Sequence, residues 1–423
     1  MESLWDVIVV GAGLTGVLTA YYLKEQGMKV LVLEAKEIAS GQTERTTAKI
    51  TSQHGLKYRK LIKDIGEDKA RLYALANESA IREYERLIRT LNIDCQFEKT
   101  AAYLYSEQDE EVLQEEVKAA LRLGIDAFFT RETELPFAVK GAACFRNQAQ
   151  FSALEFIQGI AKSLEIWEHS QVLRIRGNQV ILKDKVLTAD KIVMTTHYPV
   201  KNLPGFYFLR QHQERSYVLA LSGCAPITGM YYGIDTGGLS FRQLGDVLLL
   251  GGSSLRTGEN TCGGAYKYLE ESARKYYPDS IEAMHWAAQD CMPHDGIPFI
   301  GKYSVFTPNL YVATGFQKWG MTTAMVAAMI LREEVCGRIS PYSEVFTPQR
   351  LYIRAGYKNF IKDVGVSVKG LLKGSIVRPR CSHMGCALVW NPEEKSWDCP
   401  CHGSRFEEHG TVIDNPAGKD IRL

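Results

Sequence analysis

The chain has 423 residues, 45% of them hydrophobic, and 50 basic against 49 acidic side chains leave a formal charge of +1. That length holds about two or three domains, and the charge balance argues against a broad electrostatic surface for nucleic acid or an anionic membrane. Folding is expected to start at Trp5, which leaves no room for a signal peptide, and no apolar run is long enough to be a transmembrane segment; the expected location is cytoplasmic.

The first element reads DVIVVGAGLTGVLTAYYLKEQGMKVLVLE over Asp6–Glu34. An apolar run leads into Gly11-Ala12-Gly13-Leu14-Thr15-Gly16, a helical pattern follows to Gln26, and a second apolar run ends on Glu34. This is a βαβ unit with GxGxxG at the strand-to-helix turn. Gly11 permits the tight turn, Gly13 lets a pyrophosphate approach the backbone, and Gly16 lets helix and strand pack closely. Leu14 and Thr15 open the helix, whose N-terminus favours phosphate. Glu34, followed by Ala35, would accept hydrogen bonds from a ribose. The unit binds a dinucleotide on this reading, without separating FAD from NAD.

Next comes a run of small and hydroxyl residues, Ser40–Thr51, which contains Thr43, Arg45, Thr46, Thr47 and Lys49. It either lies along a cofactor or is an ordinary polar loop. Gly66–Leu91 and Glu107–Leu123 have helical periodicity, with a strand between them near Cys95–Tyr105. From Gln171 to Pro199 two strands flank a turn at Gly177-Asn178, and a third ends at Thr196-His197. Val172 and Thr196 are candidate cofactor contacts. His197 is either a catalytic candidate or a structural histidine. The strand-rich stretch at about 205–260 suggests an inserted antiparallel sheet on the substrate side, with Arg242 facing either an anionic substrate or solvent. After Asp295-Gly296-Ile297-Pro298-Phe299-Ile300-Gly301 and a strand, Thr314-Gly315-Phe316-Gln317-Lys318-Trp319-Gly320-Met321-Thr322 forms a second strand–Gly–helix turn. It would complete the cofactor pocket.

These motifs resemble flavoproteins of the D-amino-acid oxidase/glycine oxidase superfamily over roughly residues 1–335. The resemblance implies FAD, with Thr43, Arg45, Thr46, Thr47, Gly315, Phe316, Gly320, Met321 and Thr322 near it. Amino-acid oxidases of that superfamily carry an Arg-Pro pair before the Asp-Gly-x-Pro element, and the arginine grips the substrate carboxylate. Met292-Pro293 stands here instead. Arg45, Lys49, His197 and Arg242 are the candidates for catalysis.

Residues 336–373 read as a linker. Beyond them stands RCSHMGCALVWNPEEKSWDCPCHGSRF. The ligand pattern is Cys381-x-His383, fifteen residues, then Cys399-x-x-His402. Two cysteines and two histidines match a Rieske [2Fe–2S] centre, whose potential lies between about −150 and +300 mV. Zinc also takes this donor set, but its fingers favour Cys pairs and His pairs, whereas each pair here is mixed. Resemblance to Rieske proteins of the cytochrome bc type implies a Cys386–Cys401 disulfide, a hydrogen bond from Ser404 to a cluster sulfur, and a lost tyrosine hydroxyl at Phe406. Asp414–Gly418 resembles the proline loop that covers the cluster. Room for only one short strand between Lys373 and Cys381 implies an abbreviated domain that completes its packing on the flavoprotein.

The expected fold class is α/β: an FAD-binding Rossmann-like domain at 1–335 with the inserted sheet, plus a small all-β Rieske domain at 374–423. The expected function is an FAD-dependent oxidoreductase, a dehydrogenase rather than an oxidase. It would pass electrons between a small amine or amino-acid-like donor and an external one-electron acceptor, a protein or quinone-like carrier. The alternatives are an oxygen-using flavin oxidase with a structural or regulatory cluster, and a redox sensor without a small substrate.

Overall fold

The computed structural model describes residues 5–372 and 379–422. β1 (Trp5–Val10) and β2 (Val30–Leu33) are buried almost end to end and pair in parallel, with Val7 opposite Val30. Strands apolar on both faces belong in the middle of a covered parallel sheet. The sheet runs in the order Phe299–Lys302, Leu310–Thr314, Val186–Met194, β1, β2, Glu165–Trp167. α1 (Leu14–Glu25), buried from Leu14 to Leu23, packs against the late helix Gly320–Val335. The two strand–Gly–helix turns, far apart in the chain, thus become neighbours at the C-terminal ends of the parallel strands, where open α/β sheets bind ligands.

The second sheet has nine strands and is wider than the expected insert. Gln211–Ser222, Met230–Gly233, Ser240–Leu244 and Val247–Arg256 come from the 205–260 region. Lys49–Ile50, Glu98–Ser106, Gly141–Gln150 and Ile281–Pro293 join them, with Ala127–Thr130 alongside. The pairings are antiparallel except that Met230–Gly233 runs parallel to Glu98–Ser106. Alternation marks a strand locally but says nothing of a partner more than a hundred residues away, so the insert is a composite of several chain segments.

The stretch read as a linker is largely helical, over Ser343–Phe346 and Ile353–Leu372. Beyond it lies a knob of four short strands, Val389–Asn391, Ser396–Asp398, Arg405–Glu407 and Val412–Asp414, around Cys386, Leu388, Phe406 and Ala417. The short strand anticipated before Cys381 falls mainly outside the described residues; an Arg380–Ala387 bridge is its described part. So small a core does not stand alone, and the knob leans on the larger body. Among the described residues no helix is long and apolar enough to cross a membrane.

Candidate functional site

A cavity of about 1460 Å³ opens at the ends of the parallel strands, between the second sheet and the C-terminal knob. Its floor is the glycine turn. Gly11 sits at φ +103°, and a Cβ there would lie 2.8 Å from the Thr195 carbonyl oxygen. Gly16 is off the cavity wall: a Cβ on it would lie 1.9 Å from the Gly11 oxygen, so its role is close packing. The Glu34 carboxylate accepts hydrogen bonds from the Ala12 N–H at 2.7 Å and the Lys36 N–H at 3.0 Å, which fixes it beside the turn. Thr43 Oγ1 accepts from the Leu14 N–H at 3.1 Å. α1 has no acidic residue in its first turn, and its N-cap is Gly13. That end is suited to a phosphate.

Gly11, Gly13, Leu14, Thr15, Glu34, Ala35, Thr43, Arg45, Thr46, Thr47, Val172, Thr196, Gly315, Phe316, Gly320 and Met321 all line this one cavity. Thr322 does not. It is buried one helical step away, where its hydroxyl accepts from the Thr51 N–H at 3.0 Å and donates to the Thr51 carbonyl at 2.8 Å. It clamps the polar loop to the late helix.

The catalytic candidates divide in the same way. Arg242 is buried and faces neither substrate nor solvent; it donates to Gln150 Oε1 at 3.1 Å, to the Phe151 carbonyl at 2.9 Å and to the Thr47 carbonyl. Its positive charge does reach Lys49, which lines the cavity and donates to the Tyr231 carbonyl at 3.0 Å and to Ser240 Oγ. Burial, helped by Arg242, pushes the Lys49 ammonium down to about 7. His197 also lines the cavity, at φ +63°, and burial pushes its imidazole down to about 4. Its buried Nε2 has no hydrogen-bond partner among the described residues. Arg45 lies on the wall facing the knob, where its charge helps hold the Asp414 carboxyl ionised against burial. Lys318, not singled out from sequence, is a further cation on the wall and donates to Ser254 Oγ.

In the knob, Cys381, Cys399 and His402 are buried and His383 is half-buried. The two imidazoles stand edge to face with centroids 5.0 Å apart. Nδ1 of each is buried without a hydrogen-bond partner among the described residues. The Asn202 side chain fixes which nitrogen of His383 is free: Asn202 Oδ1 lies 3.0 Å from His383 Nε2, so Nε2 carries the proton and Nδ1 keeps its lone pair. Burial pushes both rings down, His383 to about 3 and His402 to about 4, so both are neutral, as an imidazole must be to bind a metal. Ser404 Oγ accepts from the Ala417 N–H at 3.0 Å, which leaves the hydroxyl proton for the neighbouring sulfur of Cys381, its other partner. The expected Cys386–Cys401 disulfide is not formed. Both are free thiols, with the sulfurs of Cys386, Cys399 and Cys401 within 4.8 Å of one another. The loops bring the pair into reach without joining it.

The contacts between knob and body went unseen in the sequence. Gln213 Nε2 donates to the His402 carbonyl at 2.7 Å and to the Asn415 carbonyl at 3.0 Å. Gln289 Nε2 donates to the Gly403 carbonyl at 2.8 Å. Arg256 donates to the carbonyls of Pro400 at 2.8 Å and Cys401 at 3.0 Å. Asn415, in the proline loop, donates to the carbonyls of Thr196 and Tyr198. His383, Asn415 and Pro416 consequently line the same cavity as the glycine turn. Glutamine and arginine in strands carry no sequence pattern that marks a docking surface.

The model of FAD dependent oxidoreductases matches residues 6–334, and that of the Rieske [2Fe-2S] domain matches residues 369–422. The chain belongs to the FAD dependent oxidoreductase family. It carries a C-terminal Rieske domain, and its cofactors are FAD and a [2Fe–2S] cluster. The glycine turn with Glu34, and the two unpartnered imidazole nitrogens beside Cys381 and Cys399, fit those groups. A protein of Bacillus subtilis (strain 168), YhfW, whose name includes Rieske 2Fe-2S iron-sulfur protein, is 32% identical across 99% of this chain and 92% of its own length. Among solved structures, glycine oxidase from Bacillus cereus ATCC 14579 superposes with TM-score 0.68 at 19% identity, covering 82% of this chain and 99% of that one. L-proline dehydrogenase from P. horikoshii gives TM-score 0.69 at 16% identity, covering 83% and 98%. A cytochrome b6-f complex iron-sulfur subunit of Nostoc sp. (strain PCC 7120 / SAG 25.82 / UTEX 2576) is 30% identical over 22% of this chain and 54% of its own length. The family's oxidoreductase fold here thus has a Rieske knob placed over its cofactor cavity.

Proposed function

We propose that this oxidoreductase takes electrons from a small amine or amino-acid-like donor and delivers them through the cluster to an external one-electron acceptor, a protein or quinone-like carrier, rather than to oxygen. The supporting observation is the shared cavity: Gly13 and Thr43 line one part of it, His383 and Asn415 another. When bound, the flavin supplies two-electron hydride chemistry and the cluster supplies one-electron transfer. Lys49 and Lys318, two of the cations on the wall, would hold a donor's carboxylate, in place of the arginine absent at Met292-Pro293. His197, neutral at physiological pH, would border the space between the two centres without adding charge. The names of two structural relatives, a glycine oxidase and an L-proline dehydrogenase, suggest the donor class and leave the acceptor open.

The test is an anaerobic screen of small amines and amino acids, glycine and L-proline among them, read by loss of flavin absorbance. The wild type is compared with a Cys381→Ser/His402→Ala variant. A donor that bleaches the flavin in both proteins, with turnover of a one-electron dye reduced at least about tenfold in the variant, ~1.4 kcal/mol in barrier, supports the proposal. Oxygen consumption that accounts for full donor turnover in the variant overturns it in favour of an oxidase.

A further inference from the structure

The helix Ile353–Leu372 separates its side chains into three faces. Six large apolar residues, Tyr357, Phe360, Ile361, Val368, Leu371 and Leu372, recur at helical spacing and are 43–80% exposed. Beside them Arg354, Lys358, Lys362 and Lys369 form an exposed basic stripe, again at helical spacing. The third face is turned to the protein and bears the helix's one acidic residue, Asp363. Asp363 accepts from His212 at 2.8 Å and from His294 at 2.6 Å, and pairs with Arg256. Gly370 lies so close to the cluster loops that a Cβ on it would be 2.6 Å from Cys401 Sγ, and its carbonyl accepts from the Ala387 N–H at 3.1 Å.

We infer that this helix is a membrane-surface anchor, lying in the headgroup region of an anionic bilayer with its apolar stripe among the acyl chains. An interfacial helix has this make-up: an apolar face, flanking lysines and arginines, and no transmembrane character. At about 1.5 Å per residue it offers some 30 Å of contact. Charge complementarity selects lipid over a second copy of the chain, because two-fold pairing would bring two basic stripes together with no acid on the exposed face to offset them. The net charge of +1 hides this concentration, since the compensating acids lie elsewhere. Through Gly370 the anchor would hold the cluster loops beside the membrane. The inference goes beyond the proposed function and is tested without any donor, so its failure leaves that proposal intact.

The experiment is flotation of the full-length holoprotein with phosphatidylcholine vesicles and with vesicles in which roughly a third of the lipid is phosphatidylglycerol. Binding is expected on the anionic vesicles and should weaken with salt. Lys358→Gln and Lys362→Gln should each weaken it about fivefold, ~1 kcal/mol per side chain. Ile361→Ser with Leu372→Ser should reduce it further, with flavin absorbance and the reduced-cluster EPR signal unchanged. Absence of binding to anionic vesicles at low salt overturns the inference. So does binding that neither pair of substitutions alters, or a solution dimer that Ile361→Ser splits, which would make the face an interface between copies.

Discussion

Ser404 and Phe406 are two residues apart, and the resemblance to Rieske proteins implies opposite effects of the two on the cluster. The Ser404 oxygen is occupied as an acceptor by Ala417, so its proton is left for Cys381. A hydrogen bond to a charged group contributes about 1.5 kcal/mol at its lower end, roughly 60 mV for one electron. Ser404→Ala should lower the cluster potential by about that amount, and Phe406→Tyr should raise it by supplying a donor, both read by a redox titration followed by EPR. An unchanged potential in both variants would remove these residues from the tuning of the cluster. Lys49 gives a pH prediction. Its ammonium, pushed down to about 7, is charged below that pH and neutral above it. A small carboxylate inhibitor, followed by its effect on the flavin spectrum, should bind progressively more weakly above pH 7, by up to about tenfold per pH unit. Lys49→Arg should abolish the trend, because a guanidinium stays charged.

At the scale of elements, the helix Ile353–Leu372 depends on one ionised node. Burial alone would lower His212, but its hydrogen bonds to Asp363 and Glu214 outweigh burial and raise it. Burial alone would raise Asp363, yet His212, His294 and Arg256 hold it well below the usual carboxylate range. A raised histidine gives stability that is complete below its unfolded value of 6.5 and is lost as pH rises through its folded value. A lowered aspartate gives stability that is present above 3.8 and is lost as pH falls through its depressed folded value. Docking of the helix should thus be firmest at mildly acidic pH, between these limits, and should loosen toward alkaline pH. Hydrogen exchange of the helix amides, corrected for intrinsic rates, checks this; Asp363→Asn should flatten the profile and lower protection throughout. This helix was also the element least legible in sequence. Pro341, Pro348 and several basic residues made the stretch read as a linker, and what orders the helix is a node of His212, His294 and Arg256 drawn from distant strands and loops. The βαβ unit was legible because its parts are consecutive and each glycine answers a local demand. Thr322 and Arg242 misled because residue type shows that a side chain can bind, whereas helical phase and distant carbonyls decide where it points.

At the scale of the whole molecule, a fold recurring in glycine oxidase and L-proline dehydrogenase carries an added knob whose His383 reaches the same cavity. The Rieske domain was legible as a local Cys/His spacing, but the placement of the knob was not, because Gln213, Gln289, Arg256 and Asn202 come from separate strands and loops. Freeing the knob should therefore uncouple the centres without removing either. Gln213→Ala with Gln289→Ala leaves the His402 and Gly403 carbonyls without those donors, and about 1–3 kcal/mol of docking is lost for each buried group left unpaired. Flavin content and cluster EPR should persist while turnover of a one-electron dye falls. The most direct measurement is anaerobic mixing with a donor that bleaches the flavin, sampled by absorbance and low-temperature EPR in the same reaction. A reduced-cluster signal of the mixed His/Cys type should grow in as the flavin is turned over. A flavin that bleaches completely while the cluster stays EPR-silent, although dithionite then reduces it, would contradict electron exchange across the shared cavity.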